Sequence, residues 1–332
     1  MSKLHALYVL DPAFWNKIYA EDVQEAIAQR VEVLAPALSA EAALSHPELL
    51  ASTNVLLSGW GGPVLNERLL DLMPNLQVVL YGAGSIRHIA TDAFWERNIP
   101  IAIANEANAV PVAEYALAHI ILGLRSFFYV TSVTRRLGTF PPYEIPVAGA
   151  YQSQVGLVSL SSVGKLVRQH LEHFDVSVMA YDPCISPQEG ALLNVELADL
   201  PRLFATSDVV SIHAPLLKET TGLITGELIA SMKPGATLIN TARGPIIREE
   251  EMVEVLRQRP DLTAVLDVTD PQPPVPGGIT TLENVIVSPH IAGSLGRECA
   301  RMGHRMVAEL DRFLAGKSLH NVVTLERLAT MA

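Results

Sequence analysis

Residues 154–183, QVGLVSLSSVGKLVRQHLEHFDVSVMAYDP, decide how the chain is read. They run apolar strand, tight turn, helix, apolar strand, and the second strand ends on Asp182. That is the layout of a dinucleotide-binding βαβ unit. A G-x-G-x-x-G turn places glycine at three positions, which here hold Ser159, Ser161 and Gly164. The first glycine permits a sharp turn, the second lets a pyrophosphate approach the backbone, and the third lets helix pack on strand. Only the third is kept. The N–H groups of Ser162 and Val163 open the helix toward an anion, and the Ser161 hydroxyl either crowds a phosphate or donates to it. Asp182 follows Gly164 by 18 residues, close to the roughly 20 of dinucleotide sites. A carboxylate there accepts from ribose hydroxyls and repels a 2′-phosphate, which favours NAD over NADP. On this turn alone, an ordinary βαβ unit without a cofactor fits equally well.

Upstream, apolar runs of strand length fall at 6–10, 31–34, 54–58, 77–81 and 100–104, with helical stretches such as 21–30 between them. Downstream, a second series falls at 154–160, 176–181, 209–213, 236–240, 263–267 and 285–288. Runs apolar on both faces that alternate with helices indicate parallel sheets covered on both sides, and ligands there sit beyond the carboxyl ends of strands. Six strands match a complete dinucleotide-binding sheet. The glycine-rich turn YGAGS at 81–85 either presents bare N–H groups to a carboxylate or is a left-handed turn. Residues 105–125 predict a long apolar helix with Pro111 near its start, where proline is tolerated. That helix either crosses between domains or packs on another subunit. A loop without periodicity follows at 139–150, and the tail from 295 is helical with Met306, Leu310 and Phe313 on its apolar face.

A chain of 332 residues, 49% hydrophobic and 6% aromatic, suits a two-domain Ala/Val/Leu-rich α/β protein. The net charge of −11 argues against nucleic acid or an anionic membrane as partner. Cys184 and Cys299 are far apart and in no ligand spacing, so neither a disulfide framework nor a zinc site is expected. The N-terminal apolar run is too short for a signal peptide, and no uninterrupted apolar stretch reaches 18 residues. The expectation is a soluble, cytoplasmic protein without a metal.

Four successive strands of the second series deliver polar groups at their carboxyl ends. These are His213-Ala-Pro215, Asn240-Thr241-Ala242-Arg243, Asp267, and His290 through Ala292 and Gly293. One histidine alone is more often structural. Arg, Asp and His from neighbouring strands make a site. With the turn before Asp182, the segments SDVVSIHAPLLKETTGLI, MKPGATLINTARGPIIREEEMVEVL, LDV and SPHIAGS resemble the D-isomer-specific 2-hydroxyacid dehydrogenase family over essentially the full length. The resemblance implies an α/β fold of two doubly wound parallel-sheet domains. A Rossmann NAD-binding domain (105–294) would be inserted into a flavodoxin-like substrate domain (1–104 with 295–332). It implies hydride transfer between NAD(H) and a small 2-oxo or 2-hydroxy acid. Arg243 would grip the substrate carboxylate and His290 would be the acid–base group. Ala83 and Gly84 backbone would hold the carboxylate's other face, and Asp267 the nicotinamide amide. Thr241, Ala242, Ala292 and Gly293 would line the nicotinamide pocket, with His213 and Pro215 also on the cofactor. Trp60 and Tyr81 either face the substrate's acyl side or simply pack. The family and the apolar helix after 105 together imply a homodimer, which light scattering would check.

One departure stands out. Where the family pairs a glutamate with the catalytic histidine, this chain has Gln272. A carboxylate stabilises the imidazolium, whereas an amide orients the ring without charge. The formate dehydrogenase branch also carries glutamine there, but its other features are missing. Gln272 therefore permits an active enzyme with a more acidic profile, a variant reaction, or lost turnover. The last would leave an NADH-responsive binding protein of the same fold, as in the C-terminal-binding-protein corepressors.

Overall fold

A computed structural model describes residues 3–142, 147–329 and 331; positions 143–146 of the loop at 139–150 lie outside them. The chain divides into two compact units, Met1–Asn108 with Ser294–Ala332 and Ala109–Gly293. The expected junctions lie four residues and one residue away. The helix Asn105–Leu124 begins in one unit and continues in the other, so no break in pattern marks the first of them.

The first unit is built on strands β1 (His5–Val9), β2 (Glu32–Val33), β3 (Val55–Ser58), β4 (Val78–Tyr81) and β5 (Ile101–Ile103). They form one parallel sheet in the order β2-β1-β3-β4-β5, the flavodoxin-like arrangement. Side chains alternate between faces. Tyr8, Leu57 and Leu80 enter one core, while Leu7, Leu56 and Val79 enter the other. The first face is covered by the helix Cys299–Leu314, whose Cys299, Met302, Met306 and Leu310 recur at helical spacing. A Cβ at Gly303 would stand 2.0 Å from the Ile18 carbonyl oxygen, so glycine sets how closely that helix approaches.

The second unit holds β6 (Ser153–Val158), β7 (Val176–Tyr181), β8 (Glu196–Leu197), β9 (Val209–Ile212), β10 (Thr237–Asn240), β11 (Thr263–Leu266) and β12 (Val285–Val287). Their parallel order is β12-β11-β10-β9-β6-β7-β8. From β6 the chain runs outward through β7 and β8, then returns to β9 and proceeds the other way. This reversal beside β6 is the point where such sheets open a ligand crevice. Seven strands stand where six were expected. The extra one, β8, is a two-residue edge pairing with Met179 and Ala180, too short to show a periodicity.

Helix Asn105–Leu124 is long and apolar enough to span a membrane by length and composition. Its Ala113, Ala116, Ile120 and Leu124 pack with Val155, Leu157, Ile239 and Val265 beneath the second sheet. The Cβ of a residue at Gly123 would come 3.0 Å from Thr237, so the helix lies hard against β10. One face of the helix is thus packed against the sheet.

Candidate active site

The turn after β6 is tied to the end of β7 by three hydrogen bonds. Ser159 donates its N–H to the Tyr181 carbonyl at 2.7 Å and its hydroxyl to Asp182 Oδ2 at 3.1 Å. Leu160 N–H donates to the same oxygen at 2.7 Å, and Cys184 N–H reaches Oδ1 at 2.9 Å. Ser159 takes φ of 79°, the left-handed region that favours glycine. The serine thus keeps the backbone shape of the missing first glycine.

Ser161 behaves differently. It is the N-cap of the helix Ser162–Leu171, its hydroxyl accepting from Gly164 N–H at 3.4 Å and donating to the His213 carbonyl at 2.8 Å. N-caps satisfy N–H groups that a helix start leaves open. Of the two readings of this hydroxyl, crowding a phosphate or donating to it, the second is corrected, because its proton is already given to the carbonyl of His213 just after β9. Ser162 and Val163 are the first two helical residues. Gly164 is required by packing, since a Cβ would lie 2.2 Å from the Ser159 carbonyl oxygen. Gly164→Ala should cost about 1–3 kcal/mol by overpacking against backbone and disturb the Asp182 end of the turn. Thermal unfolding and an NADH titration of the same sample check both effects.

His213 is buried beside Gly164, and neither ring nitrogen has a partner among the described residues. Burial pushes its pKa down to about 3, so the ring is neutral in ordinary buffers. The buried Thr241 hydroxyl is likewise unpartnered. Buried polar groups rarely stay unpaired, so two such groups at the ends of β9 and β10 mark where a polar ligand belongs.

Beyond β10, Asn240 shapes the turn: its Oδ1 accepts from Ala242 N–H and its Nδ2 donates to the Arg243 carbonyl, both at 3.0 Å. Sequence reading gave Asn240 no role, although an asparagine that bonds backbone two and three residues ahead is a recognised turn-former. Arg243 is half-buried, and its Nη1 donates to the Ala242 carbonyl at 2.7 Å. It forms no ion pair among the described residues, and burial lowers its pKa. A desolvated guanidinium facing no carboxylate is a site waiting for an anion.

Asp267, 2% exposed, sits at the end of β11. Its Oδ1 accepts from Ser288 Oγ at 2.6 Å and Ile291 N–H at 2.8 Å, and Oδ2 accepts from Ala292 N–H at 2.8 Å. A carboxylate has about four acceptor positions, so one remains on Oδ2. Tyr115 reaches the same group through Ser288, the two hydroxyls lying 2.6 Å apart. Because the serine proton goes to the carboxylate, tyrosine donates to serine. Sequence reading missed this chain because Tyr115 and Ser288 are far apart along it.

The same carboxylate thereby fixes the loop that carries His290. The His290 N–H bonds the Asp267 and Ser288 carbonyls at 3.0 Å each, and its φ is 56°. The exposed imidazole has Nδ1 2.8 Å from Gln272 Nε2. Gln272 and His290 are therefore partners, and Nε2 of the ring is the nitrogen left for other chemistry. A side-chain amide can present either its N or its O to the ring, so it holds both neutral tautomers as well as the cation.

In the first unit, Ala83 N–H is bonded to the Tyr81 carbonyl at 2.8 Å. This corrects the expectation that Ala83 offers a bare donor, and leaves Gly84 in that place. A Cβ on Gly84 would meet nothing within 4 Å, and neither Gly82 nor Gly84 has positive φ, so the turn is not a left-handed one. Trp60 packs edge-on against Phe14 at 5.2 Å, and Tyr81 is a buried core residue. Tyr81 is thereby assigned to packing.

A doubly wound sheet whose strand ends carry an aspartate, an arginine without an ion pair among the described residues and an amide-held histidine has the layout of a nicotinamide-dinucleotide protein. The chain belongs to the D-isomer-specific 2-hydroxyacid dehydrogenase family: residues 117–292 match the family model described as D-isomer specific 2-hydroxyacid dehydrogenase, NAD binding domain. The (S)-sulfolactate dehydrogenase of Chromohalobacter salexigens is 34% identical over 231 residues, covering 69% of this chain and 74% of that one. The D-3-phosphoglycerate dehydrogenase of Mycobacterium tuberculosis is 29% identical over 261 residues, 79% of this chain and 49% of that one. The chain thus spans about half the length of the phosphoglycerate dehydrogenases it matches. Among solved structures, the D-mandelate dehydrogenase of Rhodotorula graminis shares the fold with a TM-score of 0.77 at 23% identity, over 97% of this chain and 98% of that one.

Proposed function

We propose that the chain is an NAD-dependent dehydrogenase that interconverts a 2-oxo acid and a D-2-hydroxy acid. The observation that carries this reading is Arg243, a half-buried guanidinium without an ion-pair partner among the described residues. It leaves the carboxyl end of β10, while the Gln272–His290 pair lies beyond β11 and β12 of the same sheet. NAD supplies the hydride acceptor in oxidation and, when reduced, the donor in reduction. The residues fit that cofactor: Gly164 lets the helix start close onto the turn, Asp182 ends β7 where it would take the ribose, and His213 and Thr241 have unmet hydrogen bonds. The free acceptor on Asp267 suits one N–H of the nicotinamide amide.

Arg243 holds the substrate carboxylate in a two-point grip and draws electron density from the reacting carbonyl. In reduction, His290 Nε2 gives its proton to the carbonyl oxygen as hydride reaches the carbon. In oxidation, Nε2 takes the hydroxyl proton. Gln272 steadies the ring at Nδ1 through the exchange. The test is NADH oxidation by the folded protein with glyoxylate, hydroxypyruvate, pyruvate and a bulkier 2-oxo acid. Turnover with at least one member is expected, and none across the panel overturns the reading.

Gln272→Glu places a carboxylate on Nδ1. The negative charge favours the imidazolium, so the acid form persists to higher pH. The pH at which reduction falls off should move upward by about one unit. An unmoved profile means position 272 does not act through His290.

A further inference from the structure

The two serines of the broken glycine turn have opposite fates. Ser161 caps a helix and donates to the His213 carbonyl just after β9. Ser159 spends its only proton on Asp182 Oδ2, the carboxylate placed to receive the adenosine ribose. With Leu160 N–H on the same oxygen, Oδ2 has both of its acceptor positions filled. Oδ1 has one filled, by Cys184 N–H. A ribose diol brings two donors, and one acceptor position remains.

We propose that Ser159 is a specificity-determining residue for the dinucleotide, because its hydroxyl competes with the ribose diol for Asp182. For the second ribose hydroxyl to be accepted, the serine must turn away and surrender its bond. The carboxylate does not need that bond to stay in place, since Leu160 N–H and Cys184 N–H hold both oxygens at 2.7 Å and 2.9 Å. Glycine at this position would give the same left-handed backbone without the competing donor. The consequence falls on NAD rather than NADP. A 2′-phosphate brings no second hydroxyl proton to claim the freed acceptor, and the carboxylate repels it in either case.

The proposal rests on the reading that this unit binds NAD, and a binding measurement separates the two. Dissociation constants for NADH and NADPH are measured by fluorescence titration on wild type, Ser159→Ala and Ser159→Gly, with thermal unfolding of the ligand-free proteins. Alanine keeps the Cβ at the left-handed φ and removes only the hydroxyl. Both variants should bind NADH about three- to tenfold more tightly and leave NADPH unchanged. Ser159→Ala should meanwhile unfold at a lower temperature, having lost the bond to Asp182. A purely structural serine would instead lower stability and affinity together. Unchanged NADH affinity in Ser159→Ala, a gain in Ser159→Gly only, or an equal gain for NADPH overturns the proposal while leaving the cofactor reading intact. Absence of NADH binding by all three proteins overturns the cofactor reading and this proposal with it.

Discussion

Replacing His290 by asparagine is expected to lower kcat for 2-oxo acid reduction by about 10²–10⁴-fold, the range lost when a positioned acid–base group is removed. Asparagine is the informative choice because of the backbone. His290 holds φ of 56°, and asparagine enters that region more readily than most residues. The N–H bonds to Asp267 and Ser288 belong to the main chain and survive the change. Thermal stability should therefore stay level or rise while turnover collapses. Steady-state kinetics beside a melting curve decide the matter. A kcat within threefold of wild type would remove His290 from the chemistry, and a collapse in stability would make the kinetic loss uninformative about acid–base catalysis.

Arg243→Ala is the second large effect. A charge-assisted bond to a carboxylate contributes about 1.5–3 kcal/mol, and a forked grip makes two. The loss in kcat/KM should be about 10³-fold or more, divided between a raised KM for the oxo acid and a lowered kcat. Arg243→Lys keeps a point charge without the planar fork and should recover only part of it. Stability separates function from architecture here too. The guanidinium is desolvated and makes one carbonyl bond, to Ala242, so its removal should leave the melting temperature level or higher. Destabilisation with intact kinetics would assign Arg243 to the fold.

Much of the fold was legible because buried parallel strands are apolar on both faces. β1, β3, β4, β9, β10 and β11 all read as short apolar runs for that reason. β8 was not, because two residues on an edge, one of them the exposed Glu196, carry no pattern. The division near residue 108 was blurred because Asn105–Leu124 stays one helix through it. In the candidate site, residue type at a strand end was enough to single out Asp182, Arg243, Asp267 and His290 as candidates. Hydrogen-bond direction was not. Sequence drew attention to Ser161, since the second glycine position faces a phosphate, yet geometry spends that hydroxyl on a helix cap. Ser159 was legible as the occupant of the first glycine position, but its left-handed φ and its bond to Asp182 were not, because neither leaves a trace in residue type. Ala83 looked like a donor until its own turn was seen to use the N–H.

The left-handed backbone at His290 carries a consequence for how this codon can change over time. A side chain with a full ring at φ of 56° sits where glycine or asparagine would be more comfortable. Every substitution that relieves the position also removes the imidazole. With His290 as the acid–base group proposed above, selection for a durable protein and selection for a working one would pull residue 290 in opposite directions. A histidine that persists there across descendants of this chain would record continued demand for turnover, and drift to glycine or asparagine would date the release from it.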